Sequence, residues 1–486
     1  MRADPRPIPG RCFDLTLAAM LAGACSQGRI TSPPVPGESG APPVTMAATP
    51  VPAPGSGGGE AAEPVPAVLF KNVHIFDGTS ERLSAASNVL VKGKRIARIS
   101  AQAIDAGKDA TVIDGGGRTL MPGLIDAHWH AMVADVPVAL AMTADYGYLI
   151  LRAGQQARAT LLRGFTSVRD MGGPTFGLKR AIDEGVIEGP RIWPSGAMIS
   201  QSGGHGDFRL RSDVPRPPNA PFTHVEAINF ALIADGVDEV LQRTREQLML
   251  GASQIKLAAG GGVASEHDPL DVSQYTEPEL HAAVEAAANW GTYVTVHAYT
   301  PRAIQTAIHA GVRCIEHGQL MDDATARLMA EKKIWLSTQP FLQDEDMTPL
   351  PPGSESAAKQ LEMIRGTDTA YQLAKKHKLK TAFGTDTLFS AKLAARQGAQ
   401  LAKLTRWYTA AEALRMATST NAELLDLAGP RTPYPGKLGV IDEGALADIL
   451  LVDGDPTADL GLVADPGRNF VVIMKDGKIY KNTLAR

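Results

Sequence analysis

The sequence LMPGLIDAHWH, residues 120–130, contains the feature that decides the fold. Its apolar first part predicts a buried β-strand, and His128 and His130 follow at the end of that strand. Because strand side chains alternate with a period of two, both histidines are expected to point to the same face. Two imidazoles on one face can bind one metal ion. A lone HxH pair also arises by chance, so its meaning depends on the rest of the chain.

Apolar runs of strand length recur along the middle of the chain and alternate with helical segments. They begin near Leu124, Phe165, Arg191, Gln254, Thr292, Arg313, Trp335 and Lys380. The helices between them have readable ends, such as the capping box Thr276-Glu277-Pro278-Glu279. Strand–helix alternation predicts a parallel sheet, and eight such units predict a (β/α)8 TIM barrel over residues 122–435. Barrels of this kind carry their chemistry where the strands end.

The segments on either side of this barrel read as β-structure. Residues 67–121 contain a hairpin signal with its turn at residues 92–94, and residues 436–486 contain another at 475–478. We expect the two segments to form one small β-sandwich.

The N-terminus resembles a bacterial export signal. Residues 1–25 have a basic start, an apolar core and Cys25 at their end. Ala22 stands where a lipobox usually has leucine, so lipid attachment to Cys25 is a further option, and a disordered N-terminus with a chance apolar run is the alternative. Residues 26–66 are rich in Pro, Gly, Ser and Ala, which predicts a disordered linker. We therefore expect an exported, periplasmic or membrane-anchored bacterial protein.

The composition is that of an ordinary globular protein. Of its 486 residues, 44% are hydrophobic and 21% charged, and the net charge is -4. This balance argues against nucleic-acid binding and against a basic membrane-binding face. Three cysteines are too few for a disulfide framework.

Four further candidate ligands occur in the same strand settings as the histidine pair. Lys256 lies inside the apolar strand QIKL, His297 ends VTVH, His317 ends CIEH and Asp386 ends AFGTD. Each has an ordinary alternative: a strand-end histidine with a structural hydrogen bond, a helix-capping aspartate, or a lysine that extends its amine to solvent. Six coincidences on successive barrel strands favour one shared metal site.

These residues resemble the amidohydrolase superfamily, in its subtype with two metal ions, over about residues 67–486. The family pattern is HxH on the first strand, a carboxylated lysine on the fourth, histidines on the fifth and sixth, and aspartate on the eighth. It is matched in order by a set that we call the ligand set: His128, His130, Lys256, His297, His317 and Asp386. Residues 437–448, KLGVIDEGALAD, also resemble the family's return into its sandwich.

The resemblance implies a role for each ligand. Burial lowers the pKa of a lysine, and the neutral amine of Lys256 could then add CO2 to form a carbamate that bridges two metals. His128 and His130 would hold the more buried ion, and His297 and His317 the more exposed one. Two divalent ions roughly 3.5–4 Å apart can share a hydroxide and lower its pKa.

The remaining ligand, Asp386, would bind a metal and act as the general base. It would take the proton of the hydroxide and pass it to the leaving nitrogen. Zinc is the expected metal because N and O ligands combined with hydrolysis favour it, although manganese and cobalt also fit.

Two glycine-rich loops indicate the branch of the superfamily. GGHGDF (residues 203–208) and KLAAGGG (256–262) resemble the branch of Xaa-Pro and Xaa-Arg dipeptidases, carboxypeptidase-like enzymes and ochratoxin-hydrolysing amidohydrolases. The implied reaction is hydrolysis of an amide next to a free carboxylate, in dipeptides, N-acyl amino acids or ochratoxin A. The implied substrate is therefore a small molecule, and relatives often form homo-oligomers.

Three residues are candidates for contact with that substrate. His205 is predicted as both a catalytic and a substrate-binding residue, with a structural loop histidine as the alternative. Tyr299 follows His297 and is a candidate for the substrate carboxylate. Arg169 is a weaker candidate, for which a structural pair with Asp170 is the alternative.

Two other functions remain open from the sequence. An imidazolonepropionase-like or deaminase-like hydrolase would cleave a cyclic C–N bond, but such relatives typically use one metal and do not need Lys256. A non-catalytic binding protein could keep the barrel, but retention of the whole ligand set argues against it.

Overall fold

The computed structural model describes residues 67–217 and 220–484. The predicted export signal (1–25), with Cys25, and the predicted linker (26–66) lie outside the described residues. Within the described part of the chain, no helix is long and apolar enough to cross a membrane.

The described chain begins with five strands beside the barrel. They are β1 (Ala67–Ile75), β2 (Ser87–Lys92), β3 (Arg95–Ser100), β4 (Thr111–Asp114) and β5 (Thr119–Pro122). β1 pairs antiparallel with β2 and parallel with both β4 and β5. It therefore joins the two halves of this β-structure.

The barrel strands follow, and eight of them begin at or within two residues of a predicted start. They are β6 (Leu124–Trp129), β7 (Phe165–Asp170), β8 (Arg191–Pro194), β9 (Met198–Ser200), β11 (Ile255–Ala258), β12 (Val294–Ala298), β13 (Cys314–His317), β14 (Trp335–Thr338) and β15 (Thr381–Phe383), with the short β10 (Ala231–Ile233) before β11. The third barrel strand is split, since β8 pairs with β7 whereas β9 pairs with β10 and β11. Strands β11 to β15 pair in parallel and in chain order.

The ring closes between its first and last strands. The amide of Asp386, just after β15, donates to the carbonyl of His128 in β6 at 2.8 Å, and Trp129 pairs with Thr387. The predicted (β/α)8 TIM barrel with a β-sandwich is confirmed.

The chain then returns to its first strands. β16 (Ile449–Val452) pairs antiparallel with β5 and with β17 (Phe470–Lys475), which pairs with β18 (Lys478–Asn482). The two predicted hairpin turns meet, because a Cβ at Gly477 would lie 1.8 Å from the carbonyl oxygen of Gly93. Only glycine fits there.

Helices cover the outside of the barrel and connect its strands. They are α1 (Val138–Thr143), α2 (Tyr146–Leu162), α3 (Phe176–Asp183), α4 (His224–Ala227), α5 (Gly236–Leu250), α6 (Glu277–Asn289), α7 (Pro301–His309), α8 (Asp323–Lys332), α9 (Glu355–Lys376), α10 (Ala391–Ala395), α11 (Gln397–Ala402), α12 (Ala410–Arg415), α13 (Asn421–Leu425) and α14 (Pro466–Asn469). The predicted capping box opens α6, where the amide of Thr276 donates to Glu279 at 2.8 Å.

The alternation of side chains along β11 to β14 explains where the site lies. Leu257, Val296, Ile315 and Leu336 belong to the buried apolar cluster shared with the helices. The residues between them in each strand face the barrel interior, as a period of two requires, and several of these are polar. The interior therefore receives Lys256, Thr295, His297, Glu316 and Ser337, all buried.

Candidate metal centre

The ligand set comes together at the carboxyl end of the barrel. All six side chains line one cavity of about 480 Å³, together with His205 and Tyr299. His128, Lys256, His297 and His317 are at most 3% exposed, so the centre is nearly dry. The structure thus brings together residues spread over 259 positions, from 128 to 386.

Asp386 lies at the middle of this arrangement. Its Oδ1 is 3.1 Å from Nε2 of His128 and 3.2 Å from Nε2 of His130, and its Oδ2 is 4.0 Å from Nδ1 of His317. Burial alone would raise the pKa of Asp386, but the adjacent histidines hold that pKa well below its usual value. The carboxylate is therefore ionised, as a metal ligand or a general base must be.

Two ligands depend on a left-handed backbone. His317 directly follows Glu316, so a regular strand would place their side chains on opposite faces. The φ of His317 is +78°, and this turn lets both side chains serve the barrel interior. Asp386 has a φ of +50°. Such conformations cost free energy and concentrate at functional sites.

Each of the four histidines uses one ring nitrogen for a fixed oxygen acceptor. The pairs are His128 Nδ1 with Glu316 Oε2 at 2.8 Å, His317 Nδ1 with Gln339 Oε1 at 2.8 Å, His297 Nε2 with the Gly261 carbonyl at 3.0 Å, and His130 Nδ1 with the Gly172 carbonyl at 3.4 Å. A nitrogen facing such an oxygen carries a proton, so a neutral ring keeps its lone pair on the other nitrogen. This is how metal-binding histidines are held, so the site fits divalent ions.

Burial also favours the neutral, metal-binding form of most of these rings. It lowers the pKa of His317 to about 3 and that of His297 well below the usual value. His128 differs, because Asp386 and Glu316 outweigh burial and Lys256, and raise its pKa.

Lys256 lies on the floor of the cavity, 2% exposed. Burial lowers the pKa of its amine, although Glu316 and Asp386 partly oppose this. Ligand atoms of His128, His317 and Asp386 all lie within 4.8 Å of one another. Four imidazoles, a carboxylate and a lysine amine whose pKa is lowered form a donor set suited to transition metals.

The loop histidine His205 lies against this donor set. Its ring stacks on His297 with centroids 4.0 Å apart, and its Nδ1 is 2.8 Å from Ser265 Oγ and 3.3 Å from Asp268 Oδ2. A Cβ at Gly262 would lie 2.1 Å from this ring. The glycine-rich loop is therefore needed for the stacking.

Tyr299 also reaches the cavity. Its ring centroid lies 4.9 Å from that of His297 and 5.2 Å from that of His317. Burial raises the pKa of its hydroxyl, which therefore stays a neutral hydrogen-bond donor.

Arg169 does not reach the cavity, and the predicted substrate contact is wrong. The side chain is fully buried inside the barrel. Its guanidinium donates to the Ala127 carbonyl at 2.6 Å, to the Tyr293 hydroxyl at 3.0 Å and to Glu316 at 2.6 Å. The alternative pair with Asp170 is also wrong, since the acidic partner is Glu316.

Sequence reasoning missed three supports of the site. Glu316 could have been noticed as an acid inside the buried run CIEH. Gln339 and Asp268 lie in loops, and their types and spacing give no comparable signal.

The cavity walls are mostly apolar. They include Phe208, Phe230, Phe341, Met363, Leu388 and Phe389. Outside the ligand set, the Asp and Lys side chains among the lining residues are Asp346 and Lys403, which pair with each other at 2.9 Å. Asp346 also pairs with Arg396.

Comparison with known proteins gives consistent matches. The model of the Amidohydrolase family matches residues 119–481. An ochratoxinase of Aspergillus niger is 33% identical over 385 residues, 74% of this chain and 75% of the relative. A crystal structure of an amidohydrolase has a TM-score of 0.78 at 39% identity, over 86% of this chain and 100% of the other. A prolidase complexed with N-methylphosphonate-L-proline has the same TM-score and coverage at 35% identity.

Proposed function

This chain belongs to the amidohydrolase family of hydrolytic enzymes for amide bonds, and from that premise we propose that it cleaves an amide next to a free carboxylate. The proposed substrates are dipeptides, N-acyl amino acids or ochratoxin A. One observation carries the proposal: the complete ligand set converges beside His205 and Tyr299 in an apolar cavity.

The proposed cofactors are two divalent ions, with zinc as the first choice. His128 and His130 would hold one ion, His297 and His317 the other, and Lys256 and Asp386 would complete the set. When bound, the ions would polarise the scissile carbonyl and lower the pKa of the attacking water.

Asp386 would carry the proton during the reaction. Its Oδ1 already faces His128 and His130, so Oδ2 is the freer oxygen for that proton. Accepting the water's proton and returning it to the leaving nitrogen is general base and general acid catalysis by one group.

Lys256 is proposed to be carboxylated. In that reaction its neutral amine attacks CO2, a new N–C bond forms and a proton is released. The burial of Lys256 and its lowered pKa support this step. A carbamate resonance in the 13C NMR spectrum after incubation with 13C-bicarbonate is expected in the full chain and absent in Lys256→Met. If neither protein shows the resonance, the proposed carboxylation of Lys256 is wrong.

His205 and Tyr299 are proposed to contact the substrate. Since Nδ1 of His205 faces Ser265 and Asp268, its Nε2 remains for a hydrogen bond with the substrate. The hydroxyl of Tyr299 can donate a hydrogen bond to the carboxylate. Lys403 is a poorer partner because Asp344 and Asp346 lie 2.7 Å and 2.9 Å from its amine.

The apolar walls support an uncharged, apolar group on the acyl side of the amide. Among the described residues that line the cavity, the acid outside the ligand set is Asp346, which is paired with Arg396 and Lys403, so a free α-ammonium group finds no open acid among them. The ochratoxinase and prolidase relatives support a free carboxylate on the other side.

A hydrolysis screen tests these statements. It should compare N-acyl amino acids with free dipeptides that share the same C-terminal residue, and should include ochratoxin A. We expect chelator-sensitive cleavage, with the N-acyl member of each pair preferred. Activity only on cyclic ureides or aminated rings would contradict the proposed reaction and favour an imidazolonepropionase-like or deaminase-like hydrolase of cyclic C–N bonds.

Export is a separate proposal that depends on residues 1–25. Fractionation of the host cell should place the chain in the periplasm or the membrane. Retention in the cytoplasm, with residues 1–25 uncleaved, would contradict it. A Cys25→Ser variant that still fractionates with the membrane would exclude the lipid anchor.

A further inference from the structure

We propose that Glu316, held in place by Arg169, is the residue that positions His128 for metal binding by fixing its tautomer. The inference rests on the proposed metal-dependent function and adds a determinant of metal affinity to it. Glu316 contacts His128 and is not a member of the ligand set, so it is a positioning residue.

Four side chains form a continuous chain of contacts from the barrel interior to the cavity. Nη2 of Arg169 lies 2.6 Å from Oε1 of Glu316, and Oε2 of Glu316 lies 2.8 Å from Nδ1 of His128. Nε2 of His128 then lies 3.1 Å from Oδ1 of Asp386. Arg169 and Glu316 are fully buried.

The two carboxylate oxygens of Glu316 have different partners. Oε1 accepts from Arg169, from the hydroxyl of Thr295 and from the thiol of Cys314 at 3.3 Å. Oε2 faces His128. Rotation of the carboxylate would exchange these environments, so three donors on Oε1 keep Oε2 directed at the imidazole.

Arg169 also fixes the strand that carries His128. Its Nε donates to the carbonyl of Ala127, the residue before His128, at 2.6 Å. One guanidinium thus holds both the backbone beside the ligand and the acid that orients the ligand's ring. Such charge-assisted bonds in a dry interior are stronger than neutral ones.

The acceptor of His128 differs from those of the other three histidines. Gly172, Gly261 and Gln339 offer neutral carbonyl oxygens. Glu316 offers a negative charge, which increases the basicity of the ring nitrogen that faces the metal position. His128 is therefore the ligand whose metal affinity depends most on its support.

The variant Glu316→Gln tests this at nearly constant shape. Arg169 and Thr295 donate to the Oε1 position, so the amide oxygen must lie there and the amide nitrogen must face His128. His128 would then accept at Nδ1 and carry its proton on Nε2, the nitrogen that faces Asp386. That tautomer cannot bind a metal through Nε2.

The readout is zinc binding by the full chain, titrated against a competing chelator. We expect Glu316→Gln to weaken one of two zinc positions by about ten- to a hundredfold and leave the other unchanged. In the zinc-free protein, 15N NMR of labelled histidine should show a proton on Nδ1 of His128 in the unmodified chain and none on that nitrogen in Glu316→Gln.

The matched control is Asp448→Asn. Asp448 is another buried carboxylate paired with an arginine, Arg191, and it belongs to the sandwich side. This variant should lower the melting temperature and keep both zinc affinities. Equal loss of zinc in the two variants would mean that any damaged buried ion pair has this effect, and would overturn the proposal.

Glu316→Asp gives a second test that does not depend on the stability of the glutamine variant. It keeps a negative acceptor for Nδ1, so it should retain more zinc affinity than Glu316→Gln, or bind zinc where the latter fails to fold. Two results would overturn the role of Glu316. One is that Glu316→Gln binds zinc as tightly as the unmodified chain does. The other is that Glu316→Asp loses at least as much zinc affinity as Glu316→Gln. If the unmodified chain binds none of zinc, manganese and cobalt, the metal-dependent function itself is refuted instead.

Discussion

Two buried ion pairs, one at each end of the barrel, show how similar residues serve different purposes. Arg191 binds Asp448 through both carboxylate oxygens, at 2.9 Å and 3.1 Å, and both side chains are at most 5% exposed. Arg169 binds Glu316 through a single oxygen at 2.6 Å. The second oxygen of Glu316 is thereby left for His128.

The surroundings of each pair fit this difference. Asp448 also accepts from the amide of Asp476 at 2.9 Å, so its hydrogen bonds end in the backbone of the sandwich. Glu316 continues into an imidazole that lines the cavity. The Arg191–Asp448 pair therefore joins two layers of the fold, whereas the Arg169–Glu316 pair orients a functional group.

The largest effect is expected at the cavity end, from Asp386→Asn. Loss of the proton carrier should lower kcat by about 10²- to 10⁴-fold, because general acid–base catalysis contributes that much. Steady-state kinetics on an N-acyl amino acid checks this, and a chelator should reduce the activity of the unmodified chain similarly. Normal turnover by Asp386→Asn, or activity that a chelator does not change, would contradict the proposed mechanism.

The next effect is expected at the sandwich end, from Asp448→Asn. Arg191 loses its bidentate partner and keeps only the pair with Asp476. The variant should therefore cost about 3 kcal/mol of stability, the low end of the range for a broken buried pair. Chemical denaturation measures this, and activity per folded molecule should stay unchanged. If Asp448→Asn lost turnover without losing stability, the Arg191–Asp448 pair would not have the purely structural role that distinguishes it from the Arg169–Glu316 pair.

A smaller effect is expected from His205→Asn. If Nε2 of His205 makes a hydrogen bond with the substrate, its loss leaves a buried polar group of the substrate without a partner and should cost about 1–3 kcal/mol, or roughly five- to a hundredfold in kcat/KM. Zinc content should not change, since His205 is not in the ligand set. A loss of zinc would indicate that the stacking on His297 is the main role of this ring.

The smallest effect is expected from the exposed pair of Lys380 and Glu423, at 2.9 Å. Both side chains are more than half exposed, so Glu423→Gln should change stability by about 1 kcal/mol or less. A loss comparable to that of Asp448→Asn would show that burial does not set the ranking of ion pairs.

The barrel could be predicted from the sequence because its signals are local. Strand starts such as those of β6, β7 and β8 coincide with the beginnings of apolar runs. The split of the third strand into β8 and β9 was not predicted, since both pieces lie in one apolar stretch and only their partners differ.

The candidate site could be predicted only in part. The ligand set is visible because each member ends, or lies inside, an apolar run. Arg169 was assigned wrongly, because a strand sequence does not tell whether its side chain meets the cavity or the barrel interior. The apolar wall is assembled from loops far apart in sequence, such as those carrying Phe208, Phe341 and Phe389.

The sequence by itself therefore determined the order of strands and helices and the chemistry of the donors, since strand period and apolar spacing act between near neighbours. Only the tertiary structure decided that Glu316 meets His128, 188 residues away, and that Arg169 holds Glu316. It also decided, through the left-handed backbone at His317, that consecutive side chains serve one interior. Closure of the barrel creates these contacts, and no local pattern in the chain encodes them.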